Sequence, residues 1–271
     1  MSTPRAKTKL ESEICVVTGP RFGYAERMLW KKMWATEAVL ALLGGILAAC
    51  IFGNLTLGLL QQGGVRGFRS NVSLGSVLLA TLSFHGAALL LGAAFLKFQE
   101  TSWRDVFGDT GWKRCLALAL KVLIVVAPLV LGLKTASVIL LQRFHWAVEE
   151  QNAVELVRGA GTWMRIYLFF FAIILAPWAE EFVFRGLLFS LAKHLGWPKA
   201  GWFGVSFLFA LIHANAPSFL SLFVLALALT WLYEKTGGLL APVMAHSLFN
   251  CANVVILILQ EPPNRLLSQH Q

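Results

Sequence analysis

The sequence predicts an all-α fold, a polytopic membrane bundle of about seven or eight transmembrane helices, on three observations. Hydrophobic residues make up 57% of the 271-residue chain. Charged residues make up only 14%, against roughly 25% in an ordinary soluble domain. Apolar runs of bilayer-crossing length recur along nearly the whole chain after residue 34. The mean hydropathy of +0.68 is more apolar than a soluble fold of this size could hide. Disorder is excluded as well, since it requires low hydrophobicity. The four cysteines (Cys15, Cys50, Cys115 and Cys251) are too far apart for a disulfide scaffold.

Residues 1–34 are polar and mixed in charge, with Arg5, Lys7, Lys9, Arg21, Arg27, Lys31 and Lys32 set against Glu11, Glu13 and Glu26. They read as a cytoplasmic segment. They do not read as a signal peptide, because the apolar run that follows is too long and ends in no clear cleavage site. The membrane domain follows at 35–259, and 260–271 is a short tail. Its apolar runs lie at about Ala35–Leu60, Val72–Leu96, Cys115–Leu141, Trp163–Leu175, Pro177–Leu195, Trp202–Ile212, Ser218–Leu232 and Leu239–Leu259. Pro177 permits either a new helix or a kinked continuation, hence the two possible counts. The short runs near Trp202 and Ser218 are compatible with half-buried segments. No repeat or linker divides the chain.

The net charge of +9 is spread through loops. In a membrane protein such an excess reports topology and contact with anionic lipid. No basic run interleaved with aromatics suggests nucleic acid. Lys97, Arg104, Lys113 and Arg114 crowd one loop, and Lys193 and Lys199 another. Arg143 and Arg158 are offset by Glu149, Glu150 and Glu155, and Arg66 and Arg69 lie between the first two spans. This pattern places the N-terminus in the cytoplasm of an integral membrane protein, expected in a bacterial inner membrane. Trp30, Trp34, Trp103, Trp112, Trp197 and Trp202 flank spans as interfacial anchors.

An ionisable side chain at the bilayer centre costs about 2.5–3.5 kcal/mol on insertion scales, so each one calls for a reason. Glu37, Lys121 and Lys134 lie where they can reach an interface. His85, alone among small residues, reads as a packing histidine with a backbone partner. The C-terminal half is different. In Pro177-Trp-Ala-Glu180-Glu181-Phe-Val-Phe-Arg185 three charges share one apolar run. Glu181 and Arg185, four apart, lie on one helix face and can neutralise each other. Glu180 is turned about 100° away, which leaves it free for chemistry. Phe209-Ala-Leu-Ile-His213 ends the next run, and His246-Ser-Leu-Phe-Asn250 puts a histidine and an amide on one face of the last. Each pattern alone has a bland reading: an ion pair, a C-cap, an interhelical hydrogen bond. Asn215 reads as a loop hydrogen-bonder and Glu234, beside Lys235, as an interfacial pair.

Together the six residues can hydrolyse an amide without a Ser or Cys nucleophile. A carboxylate and a histidine can hold and deprotonate a water, and a second histidine and an amide can donate to an oxyanion. Two histidines and a carboxylate with an open position also suit a divalent metal such as zinc. If metal is present, Glu180, His213 and His246 would be its ligands, and spacing does not decide between the two chemistries. A Ser-His arrangement of the rhomboid kind is unsupported, since Ser247 directly follows His246 and shares no face with it.

Glu180-Glu181-x-x-x-Arg185, Phe209-x-x-x-His213 and His246-x-x-x-Asn250, in that order, resemble the three motifs of the CPBP (ABI) intramembrane protease family, which includes the type II CAAX prenyl endopeptidases. The likeness spans roughly residues 163–259, within a core of 162–259. It implies an intramembrane endopeptidase that hydrolyses a peptide bond in a membrane protein or lipidated peptide. It also implies roles: Glu180 activates water, His213 holds and polarises that water, His246 and Asn250 stabilise the oxyanion, and Glu181 and Arg185 support the site. The family has been described both as metalloproteases and as metal-independent glutamate proteases, and the glutamate mechanism is preferred here with metal left open. The alternatives are a non-enzymatic immunity or assembly factor that keeps the fold, and a small transporter with a proton-relay carboxylate.

Overall fold

The computed structural model describes residues 34–260 apart from Arg69, Asn71, Val72 and 149–151. The N-terminal segment up to 33 and the tail beyond 260 therefore lie outside the described residues, as do Trp30, Arg69, Glu149 and Glu150 of the charge and anchor reading. Every described element is helical. In chain order they are α1 (Thr36–Gln62), α2 (Leu74–Phe98), α3 (Trp103–Phe107), α4 (Trp112–Arg143), α5 (Asn152–Gly159), α6 (Thr162–His194), α7 (Pro198–Ile212), α8 (Ala216–Thr236) and α9 (Leu240–Gln260). Six are long and apolar enough to cross a membrane, and α7 is a shorter apolar helix of 15 residues. The protein is an integral membrane helical bundle.

The two runs separated at Pro177 are one helix. Just before the proline, Phe171–Leu175 is wound as a π-helix, so that the Ala176 N–H reaches back five residues to the Phe171 carbonyl. Such a wide turn tolerates a proline that would break an α-helix. A second π-helical stretch, Phe182–Phe189, follows the two glutamates. A third, Leu82–Gly86, interrupts α2 at His85.

The centre of the bundle is built on α8, which packs between α4 and α7 and against α9. Its apolar residues Leu225, Ala226, Leu229 and Leu232 are essentially inaccessible. By contrast α1 and α4 turn large side chains such as Phe52, Leu59, Ile124 and Val125 outward, as lipid contact requires.

Glycines set two close approaches that matter for the site. Gly238 lies against the Phe107 backbone, where a Cβ would collide. This lets the Leu239 N–H donate to the Val106 carbonyl (3.1 Å) and Thr110 Oγ1 donate to the Thr236 carbonyl (2.9 Å). The short α3 turn, closed by a reciprocal Ser102–Asp105 capping box, thereby pins the α8–α9 corner and the start of α9. Gly92 of α2 lies against the Phe182 ring of α6, and a Cβ there would stand 2.6 Å from a ring carbon. Gly92→Val is expected to force these helices apart and to cost about 1–3 kcal/mol, the usual range for overpacking. Thermal unfolding in detergent measures it.

Trp103 is more than an interfacial anchor. Its ring packs on Phe107, Trp178 and Phe182, with centroids 6.4, 5.5 and 5.1 Å away. Glu37, Lys121 and Lys134 are exposed on the bundle surface.

Candidate active site

The predicted i,i+4 pair on α6 is formed. Arg185 Nη1 donates to Glu181 Oε1 at 2.9 Å, and both side chains are fully buried. A buried charge needs its remaining polar atoms occupied. Arg185 Nη2 donates to the Ala226 carbonyl (3.0 Å), and Nε donates to Thr230 Oγ1 (3.4 Å), both on α8. The guanidinium also lies 4.9 Å from the Phe209 ring centroid, a cation–π contact. The ion pair is therefore one point at which α6, α7 and α8 meet.

Glu181 has a second partner. Its Oε1 is 2.9 Å from His246 Nδ1 of α9. With the carboxylate accepting, that nitrogen carries the proton, and Nε2 is turned the other way. It faces Glu180, whose Oε2 is 3.9 Å distant. This separation is too long for a direct hydrogen bond and suits an intervening small molecule such as water. Glu180 keeps 13% of its side chain accessible, whereas Glu181 keeps none. The neighbouring glutamates thus have different surroundings, as their helical phase predicts: one is locked in an ion pair and one stays partly accessible.

His213 caps the C-terminal end of α7. Its Nδ1 donates to the Phe209 carbonyl at 2.7 Å, which leaves Nε2 as the free acceptor of the ring. The His213 ring packs on the Phe209 ring, with centroids 4.8 Å apart. Ala214 takes a left-handed φ of 47° directly after it, and Asn215 caps α8 by accepting from the Ser218 N–H at 3.2 Å. Asn215 is thus the loop hydrogen-bonder its position suggests. Glu234 departs from expectation: it accepts from Lys193 of α6 at 2.6 Å, across the bundle.

Asn250 is also placed by the chain's own chemistry. In the wide register before Pro177 the next amide should bond the Ala172 carbonyl, but proline has no N–H. Asn250 Nδ2 donates to that carbonyl instead, at 2.8 Å. One amide hydrogen is thus committed to α6 and the other is left for a further acceptor.

Two participants were not legible in the sequence. Phe209, in sequence only the first residue of a motif, lies at the centre of the candidate site. Its ring meets those of Phe184 (5.1 Å), His213 (4.8 Å) and His246 (5.8 Å). Its four-residue spacing to His213 was the available signal. The second is His85. Among the described residues it has no backbone partner, contrary to the packing reading: its Nε2 is 3.1 Å from Glu180 Oε1. Nothing in the local sequence signals this, because the contact joins residues 95 apart.

Glu180, His213 and His246 are the residues the sequence offers to a metal. Among the described residues no three His, Cys, Asp or Glu side chains are grouped so as to hold a metal ion.

Residues 162–252 match the family model described as type II CAAX prenyl endopeptidase Rce1-like. The matched stretch contains all six site residues proposed from the motifs and excludes α1 to α5. Comparison with curated proteins and with solved structures gives no match.

Proposed function

From the match of residues 162–252 to the type II CAAX prenyl endopeptidase Rce1-like model, which supports a CAAX-type intramembrane protease, we propose a metal-independent glutamate endopeptidase acting on a membrane protein or lipidated peptide. The observation that carries this reading is the Glu180 carboxylate, partly accessible in a membrane-spanning helix and faced by imidazoles from other helices.

In this reading a water lies between Glu180 Oε2 and the histidine ring nitrogens. Glu180 takes one proton from it, and His213 Nε2 accepts a hydrogen bond from the other. The resulting hydroxide adds to the carbonyl carbon of the scissile bond. The oxyanion that develops accepts from the uncommitted Asn250 N–H and from His246 Nε2–H. His246 carries that second proton while Glu181 holds its Nδ1–H, and the set Glu180, Glu181, Arg185 and His246 then sums to zero charge. Glu180 finally returns its proton to the leaving nitrogen as the C–N bond breaks. The products are one new carboxyl and one new amino terminus, and the enzyme is regenerated. Donors fixed in advance toward developing charge are worth most in a site of low dielectric.

The cation-rich loops support a cytoplasmic N-terminus in a bacterial inner membrane, with the substrate held in the bilayer or at its surface.

The test compares protein termini in native-host membranes carrying wild-type chain or Glu180→Gln at matched levels. Termini present only with wild type are expected, and they name the substrate. Identical termini with the cellular phenotype kept in the variant would establish the immunity or assembly scaffold instead. Identical termini with the phenotype lost and ion flux abolished would establish a proton-relay transporter. The proposed reaction uses side chains alone, so cleavage in purified vesicles is expected to survive exhaustive EDTA treatment. Activity lost to EDTA and restored by zinc would transfer the water-holding role to a metal on Glu180, His213 and His246.

A further inference from the structure

We infer that His85, supplied by α2 outside the family-matched segment, is a positioning residue for the Glu180 carboxylate; the inference rests on the proposed role of Glu180. His85 Nε2 lies 3.1 Å from Glu180 Oε1, while Oε2 is the oxygen turned toward His246. A carboxylate whose first oxygen accepts a fixed N–H has lost its freedom to rotate about its last side-chain bond. Its second oxygen is then presented in one place.

The imidazole is itself held. The Phe84 and Phe171 rings meet it edge-on from two sides, with centroids 4.9 and 4.8 Å away and interplanar angles of 86° and 84°. Phe171 opens the π-helical stretch of α6, and His85 sits in that of α2. Both irregular turns therefore serve one contact. His85 Nδ1 is buried and has no hydrogen-bond partner among the described residues. A proton there would be a buried donor with nothing to bond. The ring therefore carries its single proton on Nε2, where it donates to Glu180. The approach of α2 is close enough for this because Gly92, two turns on, has no side chain to hold Phe182 away. The N-terminal helices thus complete a site whose motif residues all lie on α6 to α9.

Two measurements on the full-length protein test this. Imidazole nitrogen NMR of labelled protein in lipid nanodiscs reads the tautomer directly. A proton on Nε2 of His85, with a signal that moves in Glu180→Gln, is expected; a proton on Nδ1 overturns the inference. The second measurement is cleavage, in phosphatidylethanolamine–phosphatidylglycerol vesicles, of the protein that the termini comparison identifies. A misplacement on the order of 1 Å can cost about 100-fold in rate. His85→Phe is therefore expected to lower kcat by about 10- to 100-fold while KM stays within about twofold, since an orienting contact acts on the reacting group and not on substrate binding. His85→Gln, whose amide nitrogen reaches about as far as Nε2, should recover most of the rate. In a Glu180→Gln background His85→Phe should have no further effect.

Wild-type kcat in His85→Phe overturns the inference and leaves the protease reading intact. So does equal loss in folded His85→Phe and His85→Gln. If His85→Phe does not fold, His85→Gln and the tautomer decide. Absence of any terminus specific to wild type fails the protease reading itself, and the inference with it.

Discussion

Glu180→Gln is expected to reduce cleavage by about 100- to 10,000-fold, the contribution typical of a positioned general base. The change is nearly isosteric, and an amide in place of the carboxylate can still accept from His85 through its oxygen. The folded protein should therefore persist, with an unfolding midpoint close to wild type. Initial rates and thermal unfolding on one vesicle preparation check both halves. Full activity in a folded variant would remove Glu180 from the chemistry. The same change at Glu181 should behave differently, because Glu181 is fully buried between Arg185 and His246.

The largest loss of stability is expected from Arg185→Leu. The guanidinium is fully buried and reaches Glu181 on its own helix and both Ala226 and Thr230 on α8. Taking it away strands the Glu181 carboxylate in a low-dielectric interior. Breaking a buried pair by removing one partner costs about 3–5 kcal/mol. The loss should appear as a lowered unfolding midpoint in detergent and as less protein retained in the membrane. Removing both charges, as Arg185→Leu with Glu181→Leu, should restore much of the stability and none of the activity, because His246 would then lose the acceptor that fixes its ring. Equal destabilisation in the single and double variants would show that packing around the guanidinium, and not the stranded charge, sets the cost.

Much of this was written in local sequence. Fold class follows from composition and from the recurrence of apolar runs, because a bilayer admits few structures that satisfy every backbone group within the segment. The different surroundings of Glu180 and Glu181 follow from helical phase, and the Glu181–Arg185 bond from a four-residue spacing. The motifs on α6, α7 and α9 are likewise local, each within a turn or two of helix.

What the tertiary structure decided is how these pieces meet, since sequence spacing carries no information across helices. His246 could not be known to bond Glu181 while facing Glu180. The partner of Asn250 depended on a carbonyl left over by Pro177 in a π-helical turn that no periodicity announces. Glu234 found Lys193 on another helix in preference to its neighbour in sequence. His85 is the clearest case. In its own segment it is a lone histidine among small residues, and only the close packing of α2 on α6 brings its ring to Glu180. Local chemistry along the chain determined which residues could react, and the packing of one helix on another determined which of them touch.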